Sequence, residues 1–104
     1  MWIALNEGWL SIVDNWNDEE TLLVRARKLE HLTNVFPRCD HFKDYSADYP
    51  YRAYIEREEV GDVIKDRLME IDYTNFKNSV EDNTLKGLYG DMWLLVFQRF
   101  LGDR

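Results

Sequence analysis

One cysteine, two prolines and five glycines leave this 104-residue chain with few covalent staples and few backbone breakers. Cys39 stands alone, so no disulfide can close within the chain, and a reducing cytoplasm is the expected setting. No apolar run exceeds the six residues from Met92 to Phe97, far short of the ~18 that a membrane span requires. The first residues lack the charged, apolar and small-residue regions of a signal peptide. Positive charge is also scarce: 13 Lys and Arg face 20 Asp and Glu, for a formal net charge of −7. That balance argues against non-specific attraction to DNA, RNA or anionic membranes and favours a basic partner. Nor is there a Walker loop, a dinucleotide-binding glycine loop or a serine-hydrolase elbow.

What is present is core material. The chain is 45% hydrophobic with four tryptophans, too apolar for intrinsic disorder and sized for one compact domain, 1–104. Trp2 to Leu5 and Trp9 to Asn15 read as a hairpin around Asn6-Glu7-Gly8, with Gly8 supplying a positive φ. Thr21 to Lys28 alternates as a strand, and Glu30 to Phe36 reads as a short helix halted by Pro37. Asp40 to Tyr45 suits a strand, and Tyr51 to Arg57 is a clearer one, with Tyr51, Ala53 and Ile55 opposite Arg52, Tyr54 and Glu56. Glu58 to Ile71 follows as a helix whose expected buried stripe is Val60, Val63, Ile64, Leu68 and Ile71. A last helix runs from Asn83 or Thr84 to Leu101, with Gly102 placed to end it. The expected class is α+β: an antiparallel sheet with two or three helices on one face. Its element order suggests a split βαβ, ferredoxin-like relative with an added N-terminal hairpin.

The negative charge is concentrated. Between Glu56 and Asp72, seven acids face three bases. Glu59, Asp62, Asp66 and Glu70 recur three and four residues apart, so they share one helix ridge with carboxylates about 6 Å apart along the axis. One reading is a solvated outer face, with Lys65 and Arg67 offsetting the repulsion. The other is a protein-binding ridge that docks on a basic surface and reveals itself in association rate and salt dependence.

Two further surfaces compete with it. Arg25 and Arg27 share an outward strand face, as do Arg52 and Tyr54, which as neighbours would offer single-stranded bases a stacking platform. Pairing of these arginines with Asp44, Glu56 and Glu58 is the simpler expectation, so direct nucleic-acid binding is disfavoured. On the last helix, Leu94 and Leu101 lie with Gly87 and Gly90 on the side away from the main apolar sector. A homodimer or partner groove would account for them, as would cover from the first hairpin or a sheet edge.

Chemistry is poorly represented. Cys39 and His41, with His31 and Asp40 nearby, match no strong zinc spacing, and Asp40, Asp44 and Asp48 lack the ligand order of a calcium loop. No metal, cofactor or catalytic residue is expected; a small enzyme using Cys39 and His41 is the minor alternative. Tyr45, Tyr49, Tyr51, Tyr54 and Tyr73 gather around one loop and are candidate interface anchors.

Three segments occur in order: Leu22-Leu23-Val24-Arg25-Ala26-Arg27, Asp48-Tyr49-Pro50-Tyr51-Arg52, and Ile71-Asp72-Tyr73-Thr74-Asn75-Phe76-Lys77, followed by Tyr89 and Trp93. Together they resemble a family of small uncharacterised bacterial and mobile-element proteins, over most of the chain from Leu5 to Phe97. The resemblance implies no catalytic residue. By analogy with compact acidic phage and mobile-element proteins, it implies an inhibitor, anti-CRISPR-like or a DNA mimic, acting on a host nucleic-acid-handling complex such as a CRISPR effector.

Overall fold

The structure, a computed structural model, describes residues 1–103. Five strands, β1 (Trp2–Leu5), β2 (Gly8–Asp14), β3 (Thr21–Ala26), β4 (Phe42–Lys43) and β5 (Tyr51–Glu56), form one sheet in the order β1-β2-β3-β5-β4. Every neighbouring pair is antiparallel. Three helices accompany it: α1 (Leu29–Thr33), α2 (Arg57–Met69) and α3 (Asn83–Arg99), with 3₁₀ turns at Lys77–Ser79 and Leu101–Asp103. The expected α+β class, an antiparallel sheet with helices packed on one face, is the architecture observed, the covering helices being α1 and α2.

Alternation along the strands decides which side is covered. Leu10 pairs with Ala26, Ile12 with Val24 and Val24 with Ala53, so one apolar row crosses the three central strands. α1 and α2 cover this face, burying Leu5, Leu10, Val24, Ala53, Ile55, Leu32, Val35, Phe36 and Val60 in the main core. A second, smaller cluster, Val80, Leu85 and Tyr89, packs on Ala4 and Trp9 of the first hairpin. These two side chains alternate with the core-facing Ile3 and Leu10, so α3 touches the hairpin by its other side.

Several boundaries differ from expectation. Leu5 pairs directly with Gly8, so the hairpin loop is Asn6-Glu7 alone and Gly8 belongs to β2. Gly8 does not adopt a positive φ. Its reason is close approach: a Cβ there would stand 2.8 Å from the His31 carbonyl oxygen. The Asp40 to Tyr45 strand shrinks to Phe42–Lys43. α1 ends at Thr33, yet Val35 and Phe36 remain in the core through the following turns. The α2 stripe is buried only at Val60, with Val63 and Ile64 half-buried; Leu68 and Ile71 are exposed, Leu68 at an open apolar hollow shared with Met1, Ile3 and Ile64. Gly102 lies within the last 3₁₀ turn rather than in a left-handed helix cap.

Candidate protein interface

α3 begins as an ordinary anchored helix. The Asp82 carboxylate accepts the Leu85 backbone N–H at 2.8 Å, capping its first turn. Leu85 and Tyr89 are buried, and the Tyr89 ring packs on Phe76 at 5.1 Å between centroids. One turn later the support ends. Trp93, Leu94, Leu95, Val96, Phe97, Phe100 and Leu101 are all substantially exposed, Leu95 at 61%. Trp93 and Phe97 stack on each other at 5.6 Å, and the Lys77 ammonium sits 5.0 Å from the Trp93 ring centre. Beside them a groove of about 580 Å³ runs between Thr74-Asn75-Phe76-Lys77 and the helix.

Leu94 and Leu101, candidates from the sequence, are 47% and 49% exposed. Among the described residues, nothing outside the helix's own backbone lies within 4 Å of where a Cβ on Gly87 or Gly90 would stand. Cover from the first hairpin or a sheet edge is therefore overturned among the described residues, because α3 meets the hairpin only through its opposite side. A helix apolar nearly all round is ordinarily buried; here about two turns of one are bare.

α2 ends at Met69 rather than Ile71, so Glu59, Asp62 and Asp66 lie on the helix and Glu70 is its C-cap residue. Glu59, Asp62, Asp66 and Glu70 are all exposed, and among the described residues none of them enters an ion pair. Arg67 does not relieve them: its Nε donates to Glu7 Oε1 at 2.6 Å and its guanidinium also reaches the Asn34 carbonyl. Beyond Arg67 opens a polar cleft of about 600 Å³ walled by Glu7, Glu70, Asp72, Glu81 and Asp82. Among the described residues, no three His, Cys, Asp or Glu side chains are grouped to hold a metal ion there or elsewhere.

The arginine face is built differently from either expectation. β3 and β5 are neighbours, and Arg25 stands directly opposite Arg52. Arg25, Arg27 and Arg52 form no contact ion pair with Asp44, Glu56 or Glu58, although Arg52, after the Ser46 hydrogen bonds, helps to lower the Asp44 pKa. Instead Tyr49, 8% exposed, absorbs the positive charge. The guanidinium carbons of Arg25 and Arg27 lie 5.1 and 5.0 Å from its ring centre, and Arg52 Nε donates to its carbonyl at 3.0 Å. Arg25 also donates to Ser11 Oγ at 2.7 Å. What remains open on this face is a stacked pair, Phe42 on Tyr54 at 5.6 Å.

Cys39 is half-buried, and burial pushes its thiol pKa up, with Asp40 and Glu59 adding to that direction. A reactive cysteine needs the reverse shift. Tyr49 was visible in sequence only as one of several tyrosines, and Leu95 was not singled out. The continuous run Met92 to Phe97 was the available signal for Leu95, since no amphipathic helix can bury six consecutive side chains on one face.

No protein-family model matches the chain, and comparisons with curated proteins and with solved structures returned no match. The functional reading therefore rests on the surfaces described above.

Proposed function

We propose that this chain is a non-catalytic protein-binding module that docks through the bare half of α3. The observation carrying this reading is the exposure of Trp93, Leu94, Leu95, Val96 and Phe97 on a regular helix anchored at its other end. A helical arm needs no folding on contact, so little ordering entropy opposes docking. The acidic ridge Glu59, Asp62, Asp66 and Glu70 supports a narrower form, in which a basic protein surface is steered towards the module. An inhibitor of a nucleic-acid-handling complex belongs to that narrower form, and only the ridge and the sequence resemblance support it.

Kinship with the split βαβ fold adds nothing to this. That arrangement keeps its βαβ strands parallel with a strand between them, and the strands joined through α1, β3 and β4, lie on either side of β5 and each pair antiparallel with it, which supports the likeness; fold likeness alone carries no function. The reading as a single-strand nucleic-acid module has less support than the sequence offered, since Arg25 and Arg52 are engaged by Tyr49 and Ser11.

Affinity capture from native extract at low and high salt tests the proposal. Wild type is compared with Leu94→Asp/Leu101→Asp and with Asp62→Asn/Asp66→Asn/Glu70→Gln. Loss of a stoichiometric partner in the first variant supports docking through α3. Salt-sensitive loss in the second supports the ridge. Capture unchanged in both overturns the proposal.

A further inference from the structure

The two edges of the sheet are built differently. β4 is two residues long and carries Lys43, both features that keep an edge from pairing with another chain. β1, Trp2-Ile3-Ala4-Leu5, has no charge and no proline. Ile12 donates its N–H to the Met1 carbonyl at 2.8 Å, so the bonded pairs of the β1–β2 ladder are Met1 with Ile12, Ile3 with Leu10 and Leu5 with Gly8. Trp2 and Ala4 alternate with these and turn their N–H and C=O groups outward, where nothing bonds to them among the described residues.

This edge lies between two apolar depressions on opposite faces of the sheet. On the core side, α2 packs on β3 and β5 and leaves a hollow of about 830 Å³ lined by Met1, Ile3, Ile12, Ile64 and Leu68. On the other side, Ala4 lines the groove that also holds Phe76, Trp93 and Val96. A strand added to β1 sends successive side chains by turns into the hollow and into the groove. Covered on both faces, such a strand should read as an unbroken run of valine or isoleucine.

We propose that β1 takes up an extended segment of a basic partner as a further, antiparallel strand of the sheet; this inference rests on the reading of the chain as a protein-binding module. The outward-facing backbone groups select a strand over a helix, whose own N–H and C=O groups are already bonded within it. Charge selects the partner. The polar cleft opens at Asn6 and Glu7, immediately after β1, where five acids face Arg67 alone. Glu7 pairs with Arg67 and Asp82 caps α3, which leaves Glu70, Asp72 and Glu81 uncommitted among the described residues. An antiparallel segment crosses this end just before its apolar run, so lysine or arginine belongs there. A second copy would bring the same acids and a charge of −7 to the edge, and repulsion disfavours it.

The probe is a fluorescein-labelled, C-terminally amidated peptide, Lys-Arg-Val-Ile-Val-Ile, titrated with the full chain and followed by fluorescence anisotropy at low and high salt. The expected result is saturable binding that weakens with salt, with the Trp2 and Ala4 amides protected from hydrogen exchange by the peptide. Ala4→Pro removes an outward N–H that β2 does not use, so the β1–β2 ladder survives while peptide affinity should fall about tenfold or more. Leu68→Glu changes an exposed side chain of the hollow, leaves the edge backbone intact and should weaken binding comparably. A Glu-Glu-Val-Ile-Val-Ile peptide should bind more weakly than the basic one. Peptide binding that Ala4→Pro leaves intact, without protection of the two amides, overturns the added strand. Absence of peptide binding overturns it too; a partner captured by wild type and lost in Leu94→Asp/Leu101→Asp then leaves the docking helix standing. No peptide binding and no captured partner overturns both readings. A wild-type dimer in sedimentation equilibrium that Ala4→Pro dissociates overturns the basic partner in favour of a second copy.

Discussion

Tyr89 donates its phenolic hydrogen to the Leu5 carbonyl at 3.0 Å, with the Gly8 carbonyl at the same distance, so one side chain on α3 closes the β1–β2 turn from 84 residues away. This is the anchor that lets the rest of α3 project. Burial pushes the Tyr89 pKa up to about 12, and the Leu5 hydrogen bond opposes that shift.

Removing the hydroxyl should therefore cost stability without emptying the site. Tyr89→Phe removes the single hydroxyl hydrogen that the Leu5 and Gly8 carbonyls share, at a cost of about 1 kcal/mol. The raised pKa fixes the sign with pH: the native state holds its proton where the unfolded chain has lost it. The contribution is complete below pH 10 and is lost as pH rises towards 12. Urea unfolding midpoints should fall over that interval in wild type, and less steeply in Tyr89→Phe.

His31 sets an acid limit by the opposite sign. Its Nδ1 accepts the Trp9 backbone N–H at 3.4 Å, which requires a neutral ring. Burial lowers its pKa, and Lys28 acts in the same direction, against Asp82 and Glu30. The unfolded chain thus binds the proton first, so stability declines as pH falls below the ordinary histidine value of 6.5. His31→Asn keeps an acceptor that does not titrate. Its unfolding midpoint should change less between pH 7.5 and 5.5 than that of wild type.

Tyr49 holds the arginine face together by its ring, not its hydroxyl. Tyr49→Phe preserves both guanidinium contacts and the backbone carbonyl that Arg52 uses, so its stability should stay within about 0.5 kcal/mol of wild type. Tyr49→Ala opens a cavity beneath Arg25 and Arg27 and should cost about 3–5 kcal/mol. Thermal denaturation of the two variants distinguishes ring from hydroxyl.

Some of this was legible in the chain and some was not. Strand alternation located β1, β2, β3 and β5 to within about two residues, because side-chain period two registers directly in the order of apolar and polar residues. The acidic spacing was equally legible for Glu59, Asp62 and Asp66, which helix periodicity puts on one side of α2, while Glu70 falls just past the helix end. Gly8 was located correctly as a constrained position but for the wrong reason: its neighbour His31 is 23 residues on, and no local pattern reports a backbone approaching from there. Leu68 and Ile71 obeyed the buried period and are exposed nonetheless, because periodicity shows which side of a helix is apolar, not whether anything lies against it.

By itself the amino-acid sequence determined the α+β class, the acidic ridge and the two-sided apolar character of the last helix, all properties of neighbours in the chain. Tertiary structure decided which of those surfaces stay open. It spent Arg25 and Arg52 on Tyr49, and it fixed α3 at Tyr89 alone among its buried aromatic rings, leaving Leu94 and Leu101 bare. Exposure depends on where distant segments pack, and the free energy of that packing is a sum over contacts that no local spacing contains.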